Sequence, residues 1–275
     1  MSAVRFPVAA AFAVLALGTA SPVDAQTFHM PATPVKGFWM EASYNDLVDI
    51  DQSFPSATWF LSGRLPLTSN IRALVDIPYA YSRMEFGDLE QSNSVIGNPY
   101  LGLEYMTGRM VLGAGLRAPV NSIDSESWAD VMGFLADFQR SEAFIDQVVP
   151  VYGNVSYEYA LGRGASIRGQ AGVVGMLYTD DGDAEDGGND ALIDYGVLGT
   201  YPMGDARFGL GFYGRWIATA DEGDFGENSI HHVALSGDVR TGGVRPGIFV
   251  RVPVDKDYGD ILKSAIGLYL QVPVR

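Results

Sequence analysis

Residues 56–83 alternate between apolar and polar positions with a period of two. Ala57, Trp59, Leu61 and Leu65 fall on one face of a first run, and Thr58, Phe60, Ser62 and Arg64 on the other. In a second run Ile71, Ala73, Val75, Ile77, Tyr79 and Tyr81 oppose Arg72, Leu74, Asp76, Ala80 and Ser82. Successive side chains of a strand point to opposite faces, so both runs read as strands. Leu67-Thr68-Ser69-Asn70 supplies the turn between them, and the unit predicts a β-hairpin. Pro78 is the one discord, because proline cannot donate to a ladder.

The rest of the chain repeats this unit. Strands are expected near 37–45, 98–106, 110–120, 149–161, 165–178, 191–201, 206–217, 230–240, 244–254 and 261–274. Short turns at 107–109, 162–164, 203–205 and 241–243 alternate with long acidic connections at 46–55, 84–96, 121–147, 179–190, 218–229 and 255–260. Twelve strands result, with 10 or 14 as the neighbouring even counts, and both ends of the domain lie on the side of the short turns. That layout is the plan of an outer-membrane barrel, with short periplasmic turns and long outer loops.

The two strand faces separate a membrane barrel from a soluble one. One face carries Ala114, Leu116, Val155, Tyr157, Val197, Phe208, Leu210, Leu235, Ile248, Val250, Ile266 and Leu268, with almost no charge in mid-strand. The other mixes Gly113, Gly115, Gly172, Gly209, Gly211 and Gly247 with long charged side chains. Glycine and arginine do not make a soluble core, but they do line a lumen. Trp59, Tyr79, Tyr81, Tyr105, Tyr159, Tyr195, Tyr201 and Trp216 gather near strand ends, as interfacial girdles do. The expected fold is therefore all-β: a transmembrane, antiparallel, up-and-down β-barrel of about 12 strands.

Composition adds an address. Met1 to Arg5 is short and basic, Val8 to Leu17 is apolar, and Val23-Asp24-Ala25 resembles a cleavage site. Residues 1–25 read as a secretory signal peptide and 26–275 as the barrel domain, which places the protein in the outer membrane. There is no cysteine, so no disulfide framework is expected. A net charge of −15 argues against a nucleic-acid partner. Most of the 33 carboxylates lie in the long loops.

The lumen-facing set is the main chemical candidate. Arg64, Arg72, Arg109, Arg117, Arg168, Arg207, Arg215, Arg240, Arg245, Arg251 and Lys263 outnumber Asp76, Glu104, Glu158, Asp194 and Asp238. Guanidinium forks match carboxylate and phosphate geometry, so this excess points to an anion-guiding pore. Ion-pair ladders that fill and stiffen a narrow barrel account for the same residues, and the two readings are compatible.

The connection 121–147 holds a short helical pattern through Trp128, Val131, Leu135 and Phe138, with Ser127 and Asp130 in the spacing of a capping box. Trp128, Phe134 and Phe138 are the candidate constriction residues if this segment enters the mouth. A cover over the rim, or a position on the outer leaflet, is equally consistent with the pattern. The acidic run 180–190 fails the calcium-loop spacing, because Asp186 stands where glycine is required, and no metal site is expected. Ser229 and His231 share a face near a loop end without an evident third partner, so no catalytic residue, cofactor or enzymatic activity is expected.

Ile96-Gly97-Asn98-Pro99-Tyr100-Leu101-Gly102-Leu103-Glu104-Tyr105, together with Arg64-Leu65-Pro66-Leu67, resembles a broad family of Gram-negative outer-membrane barrels. Its members are often labelled putative transporters or proteins of a meta-pathway for phenol degradation. The resemblance implies a porin-like channel for small solutes, anionic or aromatic, and transfers no binding residue. The last strand, through Gly267, Leu270 and Val272, is similar to a barrel-assembly signal, although the chain ends in Arg275 where an aromatic residue is usual. The partners implied are outer-membrane lipid and lipopolysaccharide, the barrel-assembly machinery and a small solute. A closed structural or adhesive barrel, acting through its acidic outer loops, is the alternative.

Overall fold

The computed structural model describes residues 37–48, 56–86, 89–121, 127–179, 190–220, 223 and 225–273. The expected leader, the run 180–189 and Arg275 lie outside them. Thirteen antiparallel strands are described: β1 (Gly37–Leu47), β2 (Ala57–Pro66), β3 (Ile71–Phe86), β4 (Leu89–Ile96), β5 (Tyr100–Thr107), β6 (Met110–Arg117), β7 (Val148–Gly162), β8 (Ala165–Tyr178), β9 (Asp190–Met203), β10 (Ala206–Ile217), β11 (Ser229–Val239), β12 (Arg245–Pro253) and β13 (Leu262–Pro273). Apart from β4 and β5, each pairs with its sequence neighbours, and β1 pairs with β13 from Gly37↔Pro273 to Leu47↔Leu262, which closes the sheet. Strands β4 and β5 both pair with β3, one above the other, so together they occupy one position in a twelve-stranded wall.

That interrupted position corrects the expected loop at 84–96. Strand β3 runs on to Phe86, and β4 folds back along it from Phe86↔Leu89 to Tyr79↔Ile96. The arm is polar in sequence, LEQSNSVI, and lacks the alternation that marks the other strands. Backbone pairing, which the side-chain pattern does not report, makes it a strand. Pro78 sits where the partner of β3 changes. Pairing with β5 ends at Asp76↔Tyr100, and pairing with β4 starts at Tyr79↔Ile96. The missing donor therefore faces the gap at 97–99, where the Pro78 carbonyl accepts Gly97 N at 3.1 Å.

The outer face is a continuous apolar belt. Leu268 is 64% exposed and Ile248 62%, values that an aqueous surface does not sustain across every strand but a lipid-facing one requires. Tyr105, Tyr159 and Tyr201 stand on this face toward the short turns, and Trp59 packs against Tyr79 toward the long loops, with ring centroids 5.5 Å apart. A shallow concavity of about 1020 Å³ on this belt, lined by Trp59, Leu210, Ile248 and Leu268, belongs to the lipid-facing surface. This is an outer-membrane β-barrel.

Lumen glycines make room for aromatic rings. A Cβ on Gly267 would stand 2.2 Å from Cζ of Phe249 and 2.5 Å from the Ala42 carbonyl oxygen. A backbone oxygen cannot swing aside, so Gly267→Ala is expected to destabilise the folded barrel by about 1–3 kcal/mol. The check is the denaturant midpoint of heat-modifiable mobility, which should fall relative to the parent protein.

Candidate functional site

The segment between β6 and β7 folds into the barrel. Residues 127–147 form a helix α1 (Trp128–Ala136) followed by a 3-10 helix (Phe138–Phe144). Ala129, Met132, Leu135 and Ala136 are buried at helical spacing and give α1 its wall-facing stripe. Met132 and Leu135 pack with Leu47, Phe138, Tyr258 and Leu262, and Trp128 and Phe134 flank the same cluster. Phe138, expected on the same helix, lies two residues beyond its end and opens the 3-10 helix. Ser127 occupies the N-cap position without a side-chain capping bond, so the expected box does not close. The carboxylate of Asp130 instead accepts the Asn121 side-chain amide at 3.2 Å.

Every residue from Phe138 to Phe144 is buried, charges included. Arg140, with no exposed surface, donates to Glu41 on β1 and to Asp137 at 2.8 Å, and approaches Asp76 on β3 at 3.8 Å. Its guanidinium lies 3.5 Å from the ring centroid of Phe60, which meets Phe144 edge-on. Burial works against the Arg140 charge, but Glu41, Asp137 and Asp76 outweigh it and raise the pKa. Arg215 on β10 clamps Asp194 on both oxygens, at 2.6 and 2.7 Å, and bridges to Glu142 at 2.6 Å. It also donates to the Phe138 and Gln139 carbonyls and to the Ser141 hydroxyl. Arg251 on β12 donates to the Ala136 carbonyl at 2.9 Å and pairs with Asp137 at 3.2 Å.

Asn98, in the gap between β4 and β5, ties the segment to the wall. Its backbone N–H donates to the Ala143 carbonyl and its side-chain amide to the Ile145 and Glu142 carbonyls. Its side-chain oxygen accepts the Val120 and Asn121 N–H groups. Arg117 donates to the Asn98 carbonyl at 2.8 Å while pairing with Asp76 at 3.2 Å and donating to the Tyr152 hydroxyl. Asn45 and Thr58 both donate to the Met132 carbonyl.

A second set of ion pairs lies nearer the short turns. Arg64 pairs with Glu104 at 3.0 Å, beside buried Arg72, which stands opposite Glu104 in the ladder. Arg168 pairs with Glu158 at 2.5 Å. Arg207 and Arg245 share Asp238, which also accepts the Tyr269 hydroxyl at 3.0 Å.

Three expected lumen cations are placed elsewhere. Arg240 is exposed at the turn after β11, where its N–H donates to Asp205. Arg109 lies in a short turn against the Tyr159 ring, and Lys263 is exposed beside the β1–β13 bulge. In each case the alternation was carried past the end of the regular ladder. Glu41, Asp137 and Glu142 enter on the acidic side, so the anticipated cation excess nearly closes. Among the described residues, carboxylates outnumber arginines near the segment, while toward the short turns Arg64, Arg72, Arg168, Arg207 and Arg245 face Glu104, Glu158 and Asp238.

Glu41 was visible as the charged position of the first strand, opposite Phe38, Met40 and Ala42 in the alternation. The inward fold of 127–147 had no equivalent signal. Asn98 stood inside the quoted Ile96–Tyr105 stretch, and a proline directly after it marked a break in the ladder.

No known protein family and no curated protein matches the sequence. Solved structures do match. The COG4313 outer-membrane channel from Pseudomonas putida F1 is 15% identical and aligns over 90% of this chain and 100% of that one, with a TM-score of 0.57. The NanC porin is 8% identical over 86% of this chain and 100% of that one, with a TM-score of 0.55. These likenesses establish a shared barrel fold. The matches also include LpxR from Salmonella typhimurium, at 12% identity over 86% of this chain and 100% of that one, with a TM-score of 0.49. The expectation that the chain is not an enzyme does not stand, because a barrel fold by itself does not separate pores from enzymes.

Proposed function

We propose that this barrel is an outer-membrane channel for small solutes, in which residues 127–147 set the width of the passage. The inward fold of that segment onto Glu41, Arg215, Arg251 and Asn98 carries this reading. The arginine-rich region toward the short turns favours anionic solutes in a confined space where the field is focused. The sequence likeness to barrels labelled for phenol degradation supports aromatic acids as the first solutes to try. The C-terminal strand supports handling by the barrel-assembly machinery, and the apolar belt supports contact with lipid and lipopolysaccharide. Reversal potentials across a salt gradient test the selectivity. Anion preference that falls when Arg72, Arg168 and Arg207 are neutralised together supports the reading, and cation preference in the parent protein contradicts it.

Seating of the segment is expected to depend on pH. Burial, more than any other influence, raises the Glu142 carboxyl above its ordinary value near 4.5, and burial likewise raises Asp130 above 3.8. A carboxyl with a raised folded pKa binds more protons in the seated state, so its contribution is full below the ordinary value and is lost as pH climbs through the raised one. Conductance should therefore rise as pH climbs above the ordinary carboxyl range, and Glu142→Gln should flatten the rise. A pH-independent parent conductance would refute this.

A further inference from the structure

Outside the lumen, three side chains that the channel does not use form a hydrogen-bonded relay at the long-loop end of the wall. Tyr195 on β9 and His231 on β11 both lie on the outward face, with Ile193 and Val197 on one strand and Val233 and Leu235 on the other. The Tyr195 hydroxyl and His231 Nε2 are 2.5 Å apart, and His231 Nδ1 is 2.9 Å from Asp255 Oδ1. The His231 backbone N–H donates to the other Asp255 oxygen, which fixes that carboxylate on the imidazole. With Nδ1–H donating to Asp255, the Nε2 lone pair faces the phenol O–H.

One glycine permits this contact. Tyr195 and His231 are separated by β10, where Gly214 pairs with both. A Cβ on Gly214 would stand 2.4 Å from Cζ of Tyr195 and 2.6 Å from its hydroxyl oxygen. Only a bare backbone lets the phenol lie across the strand and reach the histidine. Phe212 stacks on the His231 ring at 5.5 Å and 21°, and Phe225 stacks on Tyr195 at 6.3 Å. Tyr195 and His231 remain partly exposed, whereas Ser229, the residue first paired with His231 by sequence, is 4% exposed.

A hydroxyl, a base against it and a carboxylate orienting the base form the arrangement of an activated nucleophile. We propose that Tyr195, His231 and Asp255 form an outward-facing acyl-ester hydrolase site, open to lipids of the outer leaflet. Tyr195 Oη bonds to the ester carbonyl carbon while its proton passes to His231 Nε2. The carbon–oxygen bond to the alcohol breaks, and the alcohol leaves with that proton. Water then bonds to the acyl carbon and gives a proton to His231; the bond to Tyr195 breaks, and the phenolate recovers the proton as the carboxylic acid departs. Asp255 is a positioning residue that holds the imidazole and balances its transient charge. The flanking Phe212, Ile193, Val197 and Val233 suit an apolar acyl chain.

The test uses the full mature barrel in detergent micelles, with folding confirmed by heat-modifiable mobility and p-nitrophenyl octanoate as the probe. The parent protein should release p-nitrophenol and carry an octanoyl adduct on Tyr195 by mass spectrometry. Tyr195→Phe and His231→Gln should each lower the rate by about 100-fold or more. Asp255→Ala should lose the adduct and Asp255→Glu should restore it in part. Gly214→Ala, which displaces the ring without touching a reacting group, should behave like Tyr195→Phe. A folded parent protein that turns over no faster than folded Tyr195→Phe overturns the proposal. Single-channel conductance should be unchanged in these variants, so failure here is distinguishable from failure of the channel reading.

Discussion

Arg140→Ala is expected to open the lumen. The substitution leaves Glu41, Asp137 and Asp76 converging on a buried space from which the cation has been removed. Breaking a buried ion pair from one side costs about 3–5 kcal/mol, because the remaining charges stay desolvated and unpaired. Arg251 stays with Asp137 and Arg117 with Asp76, so the loss falls hardest on Glu41, whose remaining cation, Arg251, is 3.8 Å away, and the Phe60 ring loses the guanidinium stacked on it. The wall is closed by its own backbone ladders and does not depend on this residue, so the cost falls on the seating of the segment. The expected result is a folded barrel whose single-channel conductance is several-fold higher than the parent's. Lysine at the same position restores charge without the fork, and should give an intermediate value.

Asn98→Ala is expected to free the same segment from its other side. The side chain donates to two carbonyls of the 3-10 region and accepts two backbone N–H groups of the descending limb. Each buried group left without a partner costs about 1–3 kcal/mol, and alanine strands three of them, since the Val120 N–H also donates to the Ala118 carbonyl. Aspartate keeps the two accepted bonds but places a negative charge against the Glu142 and Ile145 carbonyls, so it should be no better than alanine. Limited proteolysis of the folded barrel from outside reads the outcome. Cleavage within 118–147 should be rapid in the variant and slow in the parent, and equal rates would contradict the role given to Asn98.

These two residues mark the line between what the sequence displays and what it withholds. A strand lying between lipid and a lumen must alternate, so β8 (Ala165–Tyr178) and β10 (Ala206–Ile217) coincide with their sequence-based bounds. Above the apolar belt no second face enforces the period, and β4 read as loop. Lumen placement of Arg64, Arg117, Arg168 and Arg215 follows from alternation, whereas Arg240 lies past the end of the ladder.

The segment itself posed a different problem. Trp128 and Phe138 announce an amphipathic stretch, but amphipathicity does not say whether the apolar side meets the rim, the bilayer or the lumen. The decision rests on long-range pairs, such as Arg140 with Glu41 and Arg215 with Glu142, whose partners lie on distant strands. For the same reason the lumen charge was misjudged, since Asp137 and Glu142 were counted with the solvated loops. The relay at Tyr195 needed Asp255, which sits in the loop after β12, three strands on from Tyr195, and carries no pattern of its own.

The most direct test of the channel account is the conductance of the refolded barrel in a planar bilayer, compared with a variant in which residues 128–144 are replaced by a short flexible linker. The account predicts small steps for the parent and much larger, weakly selective steps for the variant. A variant that folds, shows heat-modifiable mobility and conducts no more than the parent would contradict the claim that this segment sets the width of the passage.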